Sequence, residues 1–281
     1  MKPVHPKKLV FHFYAKEGWE KSPVYAVHKY FLTKYCEIFD FAEFYIAVDD
    51  VENKALIESA EHFIVGCGFK DIRFFVQKNT WLCEAETLKK QVIDNLKGND
   101  SYVFFAHSKG TMDYANGTEK DTLITWLTAL YFLNLEFQKE AEWSFSNANS
   151  TFFGGLMELY DGNHTQQHPP KNNWLYCGGF YWINCPELEY RFGNAIPYPY
   201  DRFFGENLPG NLCEAHDYEA YTHNYMMIPS WNYDRVGSTY DSVYGRVKCV
   251  LENDELDLFN EEVTKAMQIF DKHNEKCTDN R

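Results

Sequence analysis

The chain has 281 residues, of which 18% are aromatic, and a formal net charge of −14 at neutral pH. This acidity argues against nucleic acid and against an anionic membrane surface as partners, because both select for clustered Lys and Arg. No stretch approaches the roughly 18 apolar residues of a membrane span, and the N-terminal segment does not have the pattern of a signal peptide, so we expect a cytoplasmic protein without a transmembrane segment.

Strands and helices alternate over the first 110 residues. The patterns predict strands at 8–15, 41–50, 71–79 and 102–106. Helical patterns fill the intervals; the first follows Ser22 and Pro23, which are typical helix-start residues, and the last stops at Gly98. Four strands joined by helical crossovers predict an α/β fold with a mostly parallel sheet and flanking helices.

The pattern changes after residue 110. One long amphipathic helix is predicted over 120–142, and a loop-rich segment with short strands follows over 143–250. Long loops over a small mixed sheet are a common place for substrate selectivity. A final helix has an apolar stripe with spacings of three and four residues (Leu256, Phe259, Val263, Ala266, Phe270). This stripe is expected to pack on the sheet or on a partner chain, which would make a homo-oligomer.

The most informative motif is the run from the fourth strand into His107, Ser108, Lys109 and Gly110. The carboxyl ends of strands in an open α/β sheet are where ligands bind. Lys109 supplies a positive charge, and Gly110 permits a turn whose backbone N–H groups face an anion. The motif therefore predicts a phosphate or diphosphate site. The alternative is a solvated turn lysine beside a capped strand end.

Four segments together resemble a known group of enzymes. They are EAETLKK (84–90), FFAHSKG (104–110), GGFYWIN (178–184) and RFFGENLPG (202–210). Their order is similar to that in GT-A-type glycosyltransferases of bacterial polysaccharide loci and large DNA viruses, which carry an aromatic-x-H-[ST]-K-G segment in place of D-x-D. The resemblance covers about 8–215 of this chain. It departs from the group at 178–182, which reads GGFYW instead of the expected GNFWW.

The resemblance implies one GT-A-like domain over 1–281, with a nucleotide-sugar-binding half (1–115), an acceptor-binding half (116–250) and a C-terminal helix (251–281). The implied activity is transfer of a hexose or pentose from a nucleotide-sugar donor to a glycan or glycoconjugate acceptor in polysaccharide biosynthesis. GT-A enzymes usually hold a divalent metal through D-x-D, which this sequence lacks. His107 and Lys109 would neutralise the leaving diphosphate instead. Dependence on Mn²⁺ or Mg²⁺ stays an alternative.

Further donor-binding residues are expected at the ends of the first two strands. Tyr14 ends the first strand, where such folds begin the nucleotide pocket, and Asp49 and Asp50 end the second. The two acids would accept hydrogen bonds from the ribose or base, or they are solvated turn residues. Glu84 and Glu86 begin a helix, where the macrodipole alone explains acidic residues.

Inverting transfer needs a carboxylate that removes the proton of the acceptor hydroxyl. The candidates are Glu206, which has the resemblance behind it, and Glu214 and Asp217, of which Asp217 has a neighbouring histidine and a loop setting. Arg202 precedes Glu206 by four residues, so an ordinary ion pair along a helix is the alternative interpretation. Arg202, Tyr181 and Trp182 are the candidates for acceptor binding, although period-2 geometry turns half of a strand's side chains towards the core.

A metal site is not predicted. Asp161, His164 and His168 invite one, but Pro169 and Pro170 argue against a helix that would align the two histidines. The eight cysteines lack zinc-ligand spacing and predict free thiols.

Two other function classes remain open from the sequence. The first is a carbohydrate-binding protein without catalysis, in which the aromatic residues hold sugar. The second is another enzyme acting on phosphorylated substrates; the absence of G-x-S-x-G, Walker A and G-x-G-x-x-G patterns disfavours its common forms.

Overall fold

The computed structural model describes residues 5–115, 117–159, 170–214, 220–222, 227–228, 244–245, 247–248 and 250–278. The strands are β1 (Lys7–Tyr14), β2 (Phe41–Val48), β3 (Ile72–Lys78), β4 (Tyr102–His107), β5 (Phe152–Gly154), β6 (Met157–Leu159), β7 (Trp174–Tyr176), β8 (Tyr181–Asn184), β9 (Ala220–Thr222) and β10 (Met227–Ile228). The helices are α1 (Pro23–Tyr35), α2 (Lys54–Val65), α3 (Glu84–Leu88), α4 (Thr111–Ala115), α5 (Lys120–Leu135), α6 (Gln138–Trp143), α7 (Cys185–Arg191), α8 (Phe204–Leu212) and α9 (Asn253–Thr278).

The main sheet is 7-stranded, in the order β3-β2-β1-β4-β8-β5-β9. β1 to β4 pair in parallel, and only β8 among the strands of this sheet runs against its neighbours, β4 and β5. The prediction of an α/β fold with a mostly parallel sheet is therefore confirmed. A 3-stranded sheet, β10-β6-β7, lies in the second half of the chain.

Both faces of the sheet are covered. Every residue of β4 is buried, as expected for a central strand between two layers of helices. On one face Leu9, Phe11 and Phe13 of β1 belong to a core that also contains apolar residues of α1, α2 and α5. On the other face Val10 belongs to a core shared with α3 and α8. The face covered by α3 and α8 also carries the candidate site.

The long helix predicted over 120–142 is wrong, because the chain forms α5 and α6 with a turn at 136–137. In a continuous helix the carbonyl of Asn134 would accept a hydrogen bond from the backbone N–H of Gln138. Instead it accepts one from Trp182 Nε1, at 2.9 Å. A side chain from β8 thus takes the bond that would have extended α5.

The helix around 84–96 is also modified: α3 continues as one π-helical turn, Lys89–Ile93.

The C-terminal helix packs within the chain. Phe259 contacts the ring of Phe132 on α5 at a centroid distance of 5.6 Å, and Tyr30 on α1 donates a 2.7 Å hydrogen bond to Glu262. Phe259, Ala266 and Phe270 of the predicted stripe are buried there. The stripe thus packs on helices of its own chain instead of on the sheet.

Two further sequence expectations concern thiols and membranes. The cysteines whose side chains the structure describes (Cys36, Cys67, Cys83, Cys185, Cys213, Cys277) are free thiols, as predicted. Within the described ranges, the helices are all too short or too polar to cross a membrane.

Candidate functional site

A cleft of about 340 Å³ opens at the carboxyl ends of β1 and β4. The chain runs from β1 outwards to β2 and β3 on one side of the sheet, and then returns to place β4 on the other side of β1. Such a reversal of strand order is the usual ligand-binding position in open α/β sheets. The cleft is lined by strand-end residues and by residues at the starts of α3, α4 and α8: His12, Tyr14, Asn79, Cys83, Glu84, His107, Ser108, Lys109, Gly110, Thr111, Arg202, Phe203 and Glu206.

Hydrogen bonds hold the segment that follows β4 against β1. The backbone N–H of Ser108 donates to His12 O at 2.9 Å, and Ser108 Oγ accepts from the backbone N–H of Tyr14 at 3.0 Å. Gly110 has φ of +85°, and a β-carbon there would lie 2.6 Å from Leu123 Cδ1. Glycine is therefore required both by the backbone conformation and by the contact with α5.

The backbone carbonyl of Lys109 is held by a hydrogen bond from a buried histidine. His28 Nε2 lies 2.8 Å from Lys109 O, and its Nδ1 lies 2.7 Å from the hydroxyl of Tyr131. Burial lowers the pKa of His28 to about 4, so the ring is neutral at pH 7. The Nε2–H donates to the carbonyl, and Nδ1 accepts from Tyr131. His28 thus determines the direction in which Lys109 leaves the sheet.

This burial predicts a loss of stability in acid. The unfolded histidine titrates near 6.5 and the folded one near 4, so only the unfolded state gains the proton between these values. The free energy of unfolding should fall as the pH drops from about 6.5 towards 4, by about 2 to 3 kcal/mol for this one residue at pH 4.5. Urea unfolding at pH 7 and pH 4.5 measures the fall. His28→Asn should show a smaller fall; an equal fall in both proteins would contradict the assignment.

Lys109 and Glu206 meet in the cleft although they come from distant parts of the chain. Glu206 lies in the first turn of α8 and is 9% exposed, and its Oε1 is 3.5 Å from Lys109 Nζ. Tyr181 OH donates a 2.7 Å hydrogen bond to Gly205 O and so fixes the start of α8. A cation and a carboxylate from distant parts of the chain therefore meet in one cleft. No protein-family model matches this sequence, and neither does any curated protein.

The helix α8 is held tightly to the second sheet. A β-carbon on Gly210 would lie 1.8 Å from the carbonyl oxygen of Trp174 in β7, so the two backbones touch directly. Trp174 Nε1 also donates a 2.7 Å hydrogen bond to Cys213 O, just after the helix.

Arg202 lines the cleft from the turn before α8. Its guanidinium carbon lies 4.6 Å from the ring centroid of Phe203, and the side chain is exposed at the rim. Because Arg202 is outside the helix, the alternative of an ion pair along one helix is wrong for Glu206.

His107 ends β4 and is only 6% exposed. Its Nε2 lies 2.8 Å from the backbone carbonyl of Gly178 and donates to it, so the ring holds the Cys177–Gly179 turn against the end of β4. His107 lines the cleft, but its Nε2 is bonded to the protein, whereas we expected the ring to help neutralise a diphosphate.

The acidic residues predicted to bind the donor are exposed, whereas the aromatic rings predicted to bind the acceptor are buried. Asp49 and Asp50 are exposed beyond the end of β2, and Tyr14 OH donates to Asp49 at 3.2 Å. Tyr181 is fully buried and Trp182 is 2% exposed. The prediction that these two rings bind an acceptor sugar is therefore wrong: Tyr181 packs in the core shared with α3 and α8, and Trp182 packs in the core on the opposite face of the sheet.

Some sequence predictions fall outside the described residues. Asp217 and the group Asp161, His164 and His168 are among them. Across the ranges that the structure describes, no three His, Cys, Asp or Glu side chains are grouped so that they could hold a metal ion.

Sequence reasoning missed several cleft residues, namely His12, Asn79 and Cys83, and assigned Glu84 to the helix macrodipole alone. A signal for His12 was present. Alternate residues of a strand share a face, so the residue two before Tyr14 in β1 points to the same side as Tyr14.

Proposed function

We propose that this chain is a glycosyltransferase of GT-A type that moves a sugar from a nucleotide-sugar donor to a hydroxyl of a glycan or glycoconjugate acceptor. The observation that carries the proposal is the pairing of Lys109 and Glu206 in a cleft at the strand-order reversal. The leaving diphosphate needs a cation, and the acceptor hydroxyl needs a base. Both groups face the same space of about 340 Å³, which is enough for a small ligand.

In this proposal Lys109 neutralises charge on the diphosphate, with Arg202 at the rim as a second cation. Glu206 removes the proton of the acceptor hydroxyl. The acceptor oxygen forms a bond to the anomeric carbon while the bond from that carbon to the phosphate oxygen breaks, and the diphosphate leaves with the electron pair. Before ligand binds, the two protein charges compensate each other at 3.5 Å. A diphosphate would replace Glu206 as the partner of Lys109 and leave the carboxylate available for the acceptor.

The remaining assignments follow from this division of the cleft. The parallel strands β1 to β4 would hold the donor, and residues of the second half, including Arg202, would face the acceptor. The proposal places the enzyme in the cytoplasm and requires no bound metal, because a lysine takes the position that a metal would otherwise occupy. The alternative of a carbohydrate-binding protein without catalysis is weakened by the burial of Tyr181 and Trp182, since buried rings offer no face to a sugar.

Thermal-shift screening tests the proposal with UDP-, GDP-, TDP- and CMP-sugars, each with and without EDTA. We expect at least one nucleotide-sugar to raise the unfolding temperature in both conditions, and sugar to be released or transferred from it on incubation. At 100 times the dissociation constant the stabilisation is about 2.7 kcal/mol. Stabilisation by free glycans alone would support the binding protein. A strict need for Mn²⁺ or Mg²⁺ would contradict the metal-independent mechanism.

A further inference from the structure

His12 is a cleft residue that the proposed function leaves without a role. It lies in β1 opposite His107 in the strand pairing, is 3% exposed, and lines the cleft. Its Nδ1 is 2.9 Å from Thr87 Oγ1, on the side away from the cleft. Nε2 is therefore the ring nitrogen that can meet a ligand, and the tautomer decides whether it donates or accepts.

The tautomer follows from a chain of hydrogen bonds that begins at a lysine. Lys90 Nζ can only donate, so the atom of Gln77 that lies 3.3 Å from it is the amide oxygen. The amide nitrogen of Gln77 then donates to Thr87 Oγ1 at 3.2 Å. Among the described residues, His12 Nδ1 is the only acceptor within reach of the Thr87 hydroxyl hydrogen, so Thr87 Oγ1 accepts from Gln77 and donates to His12 Nδ1. A neutral ring that accepts at Nδ1 carries its hydrogen on Nε2.

The ring stays neutral under ordinary conditions. Burial is the main reason that the pKa of His12 falls to about 4, and the neighbouring His107 adds to the fall while Glu84 and Glu86 oppose it. His12 therefore presents an N–H donor in the cleft and does not act as a base at pH 7.

Glu84 also lines the cleft, and its charge acts on the His12 ring, since it opposes the fall in the pKa of His12. A β-carbon on Gly205 would lie 3.8 Å from Glu84 Cγ, so the side chain lies close to the start of α8 and to Glu206. A neutral N–H donor next to a carboxylate acceptor matches a sugar, whose hydroxyl groups donate and accept. It does not suit a phosphate, which the carboxylate repels.

We propose that His12 and Glu84 bind the hydroxyl groups of the transferred sugar, with His12 Nε2–H as donor and Glu84 as acceptor, and that Thr87 is the positioning residue that sets the tautomer of His12. This inference rests on the proposed function. It divides the cleft into a diphosphate side at Lys109 and a sugar side at His12 and Glu84.

Calorimetric titration with UDP and UDP-glucose, and with GDP and GDP-mannose, tests the inference by comparing each diphosphate with its sugar nucleotide. His12→Leu should weaken binding of the sugar nucleotide about 3- to 10-fold and Glu84→Gln about 10-fold, while affinity for the diphosphate stays unchanged. His12→Gln, which keeps a donor near the position of Nε2, should recover most of the loss. Equal losses for both ligands, or no loss for either, would overturn the inference and leave the proposed function standing. A wild-type protein that binds none of these four ligands and no TDP- or CMP-sugar would overturn both.

Two substitutions of Thr87 test its proposed role in setting the tautomer of His12. Thr87→Val removes the hydroxyl and should weaken the sugar nucleotide selectively, whereas Thr87→Ser keeps it and should bind like the wild type. Long-range ¹H–¹⁵N spectra of labelled protein should show the hydrogen of His12 on Nε2 in the wild type and in Thr87→Ser. A hydrogen on Nδ1 in the wild type would overturn the assignment even if Thr87→Val fails to fold.

Discussion

Replacing Glu206 by Gln should reduce sugar transfer by about 10²- to 10⁴-fold, the range that a general base contributes. The amide keeps the shape of the side chain but cannot take the proton of the acceptor hydroxyl. Affinity for the nucleoside diphosphate should stay equal or rise, because Lys109 loses the carboxylate that lies 3.5 Å from its Nζ. Steady-state transfer rates and calorimetric titration with the diphosphate measure the two effects separately.

The control variants for this experiment are Asp217→Asn and Glu214→Gln. Neither should lower transfer to the same extent. If Glu206→Gln retains near-normal turnover while Asp217→Asn is inactive, the base lies in the segment after α8. If all three variants remain active, either transfer proceeds with retention of configuration or the chain is not a transferase.

Lys109→Ala should weaken binding of UDP or GDP by about 10- to 100-fold, since a charge-assisted hydrogen bond contributes about 1.5 to 3 kcal/mol. The fold should survive, because the side chain of Lys109 lies in the cleft beyond the end of β4 and is 28% exposed. Lys109→Arg keeps the charge and should lose less affinity than Lys109→Ala.

A lysine far from the cleft provides the matched control. Lys120 lies at the start of α5, where its Nζ is 3.1 Å from Asp271 Oδ1 on α9. Lys120→Ala removes the same charge from the protein and should leave diphosphate affinity unchanged. Equal losses of diphosphate affinity in the two variants would show that only the net charge of the protein matters. No loss of affinity in either variant would contradict a phosphate site at Lys109.

The parallel half of the fold was predictable because its signals are local. β1 to β4 have compact apolar runs, and the first helix between them begins at a recognisable residue, Pro23. Parallel pairing then follows from the length of the crossovers. The same logic placed Ser108 and Lys109 at the ligand-binding edge, where the structure has them.

The second half was less predictable because its features depend on partners distant in sequence. Tyr181 and Trp182 have the pattern of a half-exposed strand, but the layers packed on the two faces of β8 bury both. The end of α5 is decided by the indole of Trp182, 48 residues away. The role of His12 depends on Thr87, Gln77 and Lys90, none of which is adjacent to it in the chain.

The direct contact between α8 and β7 has a consequence for the dynamics of the site. Because Gly210 has no side chain to separate the two backbones, α8 cannot slide along β7 without a collision of main-chain atoms. The backbone that carries Glu206 is therefore fixed before a ligand arrives, and in the proposed mechanism its carboxylate needs no closing motion of α8. Any adjustment to ligands of different size falls to cleft residues outside α8, such as Asn79 and Cys83.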